Sequence, residues 1–151
     1  MRKTIKFNEK FIPLIKSGMK TQTRRKIKKL KGECEFFGWN VDRVDRNNFR
    51  NEANFGNEYQ VLFTIKPTYY MHQVIKVCSL DEKGHWHKTD LRIKIANIRV
   101  EPVGLITEED AIKEGFKPVG NTSARRMFAH EIKNIYGSLK GYFFVYEFEL
   151  I

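Results

Sequence analysis

Apolar positions recur along the chain at two spacings, every second residue in some stretches and every third or fourth in others, and their succession lays out the elements. Thr4 to Phe7 reads as a short strand. Phe11, Leu14 and Ile15 then repeat at helical spacing, with Asn8 placed to cap, Phe7 and Ile12 to pack across the cap and Gly18 to stop the run. This predicts a helix at about 9–17. Pro13 removes a backbone donor inside that span and crowds the preceding turn, so the helix is expected to be short or to start late. Beyond Gly18 an extended backbone would send Lys20, Gln22 and Arg24 to one side and Thr21, Thr23 and Arg25 to the other. Lys20 and Thr23 then share a site only if the chain turns or bulges between them.

Cys34 to Trp39 predicts a further strand. Over 40–57 the apolar period nearly vanishes among asparagines, which predicts a polar inserted loop and a candidate lid. Strands follow at Glu58 to Lys66, His72 to Ser79 and Leu91 to Val100, the last bending near Asn97. Asp81-Glu82-Lys83-Gly84 marks a hairpin before it. Thr107, with acids behind it and Gly115 beyond, predicts a helix at 107–114. Ala124, Met127, Phe128, Ile132 and Ile135 predict another at 123–136, stopped by Gly137. A last strand, Tyr142 to Leu150, places Phe144, Tyr146, Phe148 and Leu150 on one buried face. The sum is an α+β fold of five to six short strands, either a small mixed barrel capped by helices or an open sheet.

At 151 residues the chain is long enough for one domain with a real core. No apolar run approaches the roughly 20 residues that cross a bilayer, and no secretory leader is legible. The expectation is a cytoplasmic monomer with no membrane partner. Cys34 and Cys78 are read as reduced thiols. The charge changes the picture more. Residues 1 to 31 carry twelve Lys and Arg against Glu9 alone, while residues 32 to 151 balance to −1. So local a positive field attracts polyanions, with nucleic acid the natural partner.

The densest chemistry lies in that segment, Gly18-Met19-Lys20-Thr21-Gln22-Thr23-Arg24-Arg25. Lysine becomes a base or nucleophile once its pKa falls, threonine is a nucleophile or hydrogen-bond partner, and arginines grip planar anions. A second oddity is Glu114 at the end of a predicted helix, where the negative end of the dipole disfavours a carboxylate by roughly 0.3–1 kcal/mol. His72, Cys78, His85 and His87 fall within sixteen residues but match no usual zinc spacing; they are read as surface or core residues, and neither metal nor cofactor is expected.

Three ordered blocks resemble the ASCH domain family, a branch of the PUA-like barrels, in the form common in phages and prophages. They are Phe11 to Arg25 with its Gly-x-Lys-Thr-x-Thr-Arg-Arg core, Ile95 to Gly115, and Phe128 to Leu150 with Ile-Tyr-Gly before the last strand. The resemblance implies a PUA-like barrel with a cleft facing RNA, nucleotides or modified nucleosides. It also implies, for some members, an amidohydrolase acting on acetylated cytidine through a Lys, a Thr and a Glu, which fall on Lys20, Thr23 and Glu114. A ribonuclease is the less favoured enzymatic reading. In the expected mechanism Thr23 attacks the amide carbonyl, Lys20 accepts its proton and Glu114 serves the leaving amine. As an alternative, the same cleft is a non-catalytic RNA-binding module. Lys20, Arg24 and Arg25 then meet phosphates within the binding stretch of Gly18, Thr21 and Lys26, while Trp39, Tyr69 or Tyr70 stacks on a base. A phage-encoded adaptor or inhibitor protein is a third class.

Overall fold

A computed structural model describes residues 3–27, 39–41, 49–55 and 58–151, with side chains over 3–27 and 66–151. Its main sheet has five strands: β1 (Thr4–Asn8), β2 (Gln22–Lys26), β6 (Val74–Leu80), β7 (Trp86–Pro102) and β8 (Tyr142–Leu150), in the spatial order β1-β6-β7-β8-β2. The β1–β6 pair is parallel and the others are antiparallel, so the sheet is mixed. With the helices below it makes a curled half-barrel of the α+β class, as expected. A second sheet, β3 (Trp39–Val41), β4 (Phe49–Phe55) and β5 (Glu58–Ile65), is wholly antiparallel.

The second sheet changes one expectation. The polar stretch at 40–57 is not all loop, because it includes most of β3 and the whole of β4. Backbone pairing needs no hydrophobic period, and asparagines satisfy a ladder as well as other residues do. Of the strand expected at Cys34 to Trp39, residues 34–38 lie outside the described residues.

β7 holds the main sheet together. Its first half pairs with β6 through Trp86 to Lys94, and its second half with β8 through Ile93 to Pro102. The register slips between Ile95 and Asn97, which is the bend expected there. The strand is much longer than the alternation from Leu91 to Val100 suggested, since its exposed start at Trp86 to Lys88 needs no inward face.

The helices are set by local signals. Asn8 Oδ1 accepts the Lys10 N–H and opens a 3₁₀ turn, Glu9–Phe11; α1 (Ile12–Lys16) follows with Pro13 in its first turn, where a missing donor costs nothing. The helix is therefore shorter than the 9–17 expected, for the reason Pro13 gave. Gly18, at φ 81°, turns the chain into the left-handed region and towards β2. Thr107 caps α2 (Glu108–Lys113) and Ser123 caps α3 (Ala124–Tyr136), in each case by accepting the N–H three residues on. The Glu108 carboxylate also accepts the Ala124 and Arg125 N–H groups, so one acid of α2 docks the start of α3.

Core packing lies on both faces of the sheet. On one face Ile5, Ile75, Val77, Ile93 and Ile95 meet Phe144, Tyr146 and Phe148; on the other, Ala111, Phe128 and Ile132 of the helices meet Phe143 and Val145. β8 was expected to bury one face. It buries both through its middle, because α2 and α3 cover the second face, while Leu150 at its end is exposed. Burial without a path for charge also pushes the Tyr146 phenol up to about 12; its oxygen accepts the Thr68 N–H.

Phe143 is fully buried and packs edge-on against Phe128. Phe143→Ala is expected to lower the unfolding free energy by about 3–5 kcal/mol, read as a fall in the urea midpoint at unchanged slope.

Candidate functional site

The chain between α1 and β2 is pinned before the strand begins. Met19 and Lys20 both donate their N–H groups to Leu14 O, and Thr21 donates to Lys113 O at the end of α2. Regular strand pairing starts only at Gln22, so Lys20 stands outside the alternation that would separate it from Thr23. This is how both come to line one cleft of about 270 Å³, with Glu114, Arg25, Phe7 and Phe11 among its walls.

Lys20 is almost wholly buried. Its Nζ donates to Gln22 O at 2.8 Å, to Glu114 O, and to Glu114 Oε2 at 3.3 Å, which occupies all three ammonium hydrogens. The Phe11 and Phe7 ring centroids lie 4.6 and 5.6 Å away. Burial pulls the Lys20 pKa below the ordinary lysine value, against the opposing pull of the Glu114 carboxylate. Glu114, whose position at a helix end looked costly, is answered twice. Its Oε2 faces Lys20, and its Oε1 accepts from Arg24 Nη1 at 3.0 Å. The two cations offset both its own charge and the helix's negative end.

Arg24 does not reach outward. Besides Glu114, its guanidinium donates to Gln22 Oε1 at 2.9 Å, Glu101 Oε2 at 2.8 Å and Asp110 Oδ2 at 3.3 Å, and 1% of its side chain is exposed. The phosphate-gripping role expected for Arg24 is thus taken by internal carboxylates. Arg99 joins the cluster through Glu101, Glu147 and Asp110, and Gln22 bridges Asp110 and Glu147. Burial alone would raise the Asp110 and Glu101 pKa values. For Asp110 the Gln22 hydrogen bond and the Arg24 and Arg99 charges hold it below the usual carboxylate range, and for Glu101 the two arginines do so.

Thr23 is buried too, but its partner is Arg25. Arg25 Nε donates to Thr23 Oγ1 at 3.2 Å and Nη2 to Lys6 O at 2.8 Å, with the guanidinium over the Phe7 ring at 5.2 Å. Among the described residues Arg25 makes no ion pair and stays half-exposed at the cleft. With Lys6, which also lines the cleft, it is a cation there with charge to offer.

The other expected contacts do not gather here. Gly18 shapes the turn, the Thr21 backbone staples β2 to α2 and accepts the Phe148 N–H, and Lys26 lies over the Tyr136 ring at 5.2 Å; none of the three lines the cleft. Tyr69 is 5% exposed, its hydroxyl donating to Thr4 O and its ring edge-on to Tyr146, so it presents no open face to a base. Tyr70 lies in the same turn, tied through Gln73. The Trp39 side chain lies outside the described residues. His85 and His87 sit exposed on the β6–β7 hairpin beside Asp81. Among the described residues no group of three His, Cys, Asp or Glu could hold a metal ion, and no helix is long and apolar enough to cross a membrane.

Residues unmarked by the sequence complete the site. Gln22, Glu101, Asp110 and Arg99 build the cluster around Arg24: Gln22 is a buried position of β2, Arg99 and Glu101 are part-exposed on β7, and Asp110 comes from α2. Gly115 matters by what it lacks. It sits at φ 107°, and a Cβ there would stand 3.0 Å from the Phe11 ring, so its bareness lets that ring close on Lys20.

No family model matches the sequence, and no curated protein does. Solved structures do align. Protein EF3133 from Enterococcus faecalis V583, described by the family model DUF984, is 14% identical and covers 100% of this chain and 81% of its own at a TM-score of 0.53. That likeness shows a shared fold. An ASCH domain from Lactobacillus crispatus JV V101 is 15% identical and covers 91% of this chain and 68% of its own at a TM-score of 0.43.

Removing Arg24 takes a cation from Glu101, Asp110 and Glu114, which keep Arg99 or Lys20. Arg24→Ala is expected to cost about 3 kcal/mol in thermal or urea unfolding, the low end for breaking a buried pair. The lowered folded-state values of Asp110 and Glu101 also fix a pH trend. The stability they contribute is fully present above their ordinary 3.8 and 4.5 and is lost as pH falls through the lowered values. An acid titration of the parent protein followed by circular dichroism is expected to show this loss, and Arg24→Ala to weaken it.

Proposed function

We propose that the cleft binds the base of a modified nucleoside and hydrolyses an amide on it, making the chain an ASCH-type hydrolase of N-acylated cytidine. One observation carries the reading. An amine from the link before β2, a hydroxyl from β2 and a carboxylate from the end of α2 line one small cleft, and the amine is buried enough to lower its pKa. A cleft of about 270 Å³ is near the small end of ligand pockets and suits one planar group between aromatic walls. The resemblance of the Gly18 to Arg25 and Glu114 blocks to the family supports the same three roles.

In this mechanism Lys20 is the base in its neutral form. Its Nζ takes the Thr23 proton as Oγ1 adds to the acyl carbonyl. The tetrahedral adduct then collapses, the C–N bond breaks, and the Lys20 ammonium returns a proton to the leaving amine. Water, deprotonated by Lys20, next cleaves the threonine ester and releases the acid. Arg25 Nε, already on Thr23 Oγ1, favours the alkoxide, and Glu114 holds the exocyclic nitrogen through its N–H. The Lys20–Thr23 contact has to form as substrate displaces the present partners, a tightening common between free and bound sites.

A second reading, binding without chemistry, draws on the complete occupation of the Lys20 ammonium by Glu114 and Gln22. Release of cytidine from N-acetylcytidine, followed by chromatography, separates the two. The parent protein is expected to turn over, and Thr23→Ala, which leaves the ion cluster intact, to lose at least about 100-fold in kcat/KM. The rate is expected to rise with pH through an ionisation below 10.5, since the deprotonated amine is the active form. Saturable binding with no product supports the module, and a Thr23→Ala protein as fast as the parent removes the mechanism.

A further inference from the structure

Beside the cleft runs a larger groove of about 930 Å³, between the Phe11 to Leu14 turn and α3. Pro13, Leu14, Val119, Met127 and Ile135 give it an apolar surface, and Lys10, Lys117, Arg126 and Glu131 bring charge to its lining beside Thr122, His130 and Asn134. The two spaces share Phe11, Phe116, Glu131 and Ile135, so they adjoin along a boundary of three apolar side chains and one carboxylate. The Lys10–Glu131 ion pair, at 2.9 Å, ties the two walls of the groove together.

We propose that this groove is the acyl subsite of the cleft, and that the preferred substrates carry a medium-length saturated acyl chain on the amine rather than an acetyl group. The inference rests on the amide-hydrolase reading of the cleft. A substrate amide has two sides, a polar base on nitrogen and an acyl group on carbonyl carbon. The donors and acceptors that read a base, Lys20, Arg25 and Glu114, are in the small cleft and none lines the groove. With the carbonyl at Thr23, the polar half fills the cleft. The adjoining space for the other half lies past Phe11 and Phe116, against Leu14, Met127 and Val119. Val119 and Ile135 are each more than 60% exposed, an apolar surface that a chain would cover. An acetyl group ends in a single methyl and would leave that surface wet.

Each methylene buried there is worth about a fourfold gain in binding, so kcat/KM is expected to rise on the order of a hundredfold from N-acetyl- to N-hexanoylcytidine. Met127→Glu, which puts a charge on the groove floor, is expected to bring that ratio towards one. A binding arm needs no turnover: calorimetric titration of Thr23→Ala protein with N-octanoyl- and N-acetylcytidine is expected to show the octanoyl compound bound more than tenfold more tightly. A flat chain-length profile, or equal affinities in the binding arm, overturns the acyl subsite while leaving hydrolysis intact. Tight, Met127-dependent octanoyl binding without hydrolysis of any chain length upholds the groove and removes the catalytic reading. Failure of both compounds to bind overturns both.

Discussion

One carboxylate, Glu114, obliges the rest of the site to be as it is. It sits buried at the end of α2, where the helix's own carbonyls repel it, and it is tolerable only because two cations converge on it. Lys20 comes from the chain just before β2 and Arg24 from within it. Meeting both needs, the carboxylate fastens the last turn of α2 to the edge strand of the sheet. Thr21 adds a backbone hydrogen bond to Lys113 O at the same seam. The cleft is the space left in front of that seam.

The cluster behind Glu114 is graded in exposure, and the grading divides its work. Arg24 is fully enclosed by Gln22, Glu101, Asp110 and Glu114, whereas Arg99 and Glu147 are part-exposed at the margin. An enclosed guanidinium with every fork occupied fixes geometry, since moving it would break several charge-assisted bonds together. Lys20 is held differently. Its amine faces carboxylate, two carbonyls and two aromatic rings, all of which favour the cation, while burial favours the neutral form. These influences oppose one another at a single nitrogen, so the arrival of a ligand that displaces Glu114 would tip it towards the neutral form. On the hydrolase reading, the same residue would be structural beside Glu114 and a base once a ligand has taken Glu114's place.

Much of this was legible in the chain, and the exceptions share a cause. Caps at Asn8, Thr107 and Ser123, the Asp81 to Gly84 hairpin and the bend of β7 are local, decided by a few neighbouring residues. The gathering of Lys20, Thr23 and Glu114 was legible through motif resemblance and the odd placement of Glu114. What was illegible depends on what lies across the fold. Arg24 reads as a surface cation until Glu101 and Asp110 are brought beside it. β8 reads as one-sided until α2 and α3 cover its Phe143 and Val145 face. Tyr69 reads as a free aromatic until Thr4 accepts its hydroxyl. The apolar period also missed β4, where ladder hydrogen bonds form among polar residues. The concentrated basic charge of residues 1 to 31 is weaker as a surface field than its count suggests, because Lys20 and Arg24 are spent inside.

A site whose buried lysine and carboxylate are already paired selects its ligand by exchange. Anything entering the cleft must replace what it displaces, because a buried donor or acceptor left unpaired costs about 1–3 kcal/mol. Separating Lys20 from Glu114 frees ammonium or amine hydrogens that need an acceptor, and a carboxylate that needs a donor. Arg25, with no acid of its own, adds a further donor on the Thr23 side. The ligand that answers all of these at once presents a carbonyl oxygen next to an N–H, in one plane thin enough to lie between Phe7 and Phe11. A phosphate offers acceptors only and would leave Glu114 facing like charge. An ammonium offers donors only and would leave Arg25 unanswered. An N-acylated base edge offers both, which is the exchange that the amide-hydrolase reading of the cleft requires.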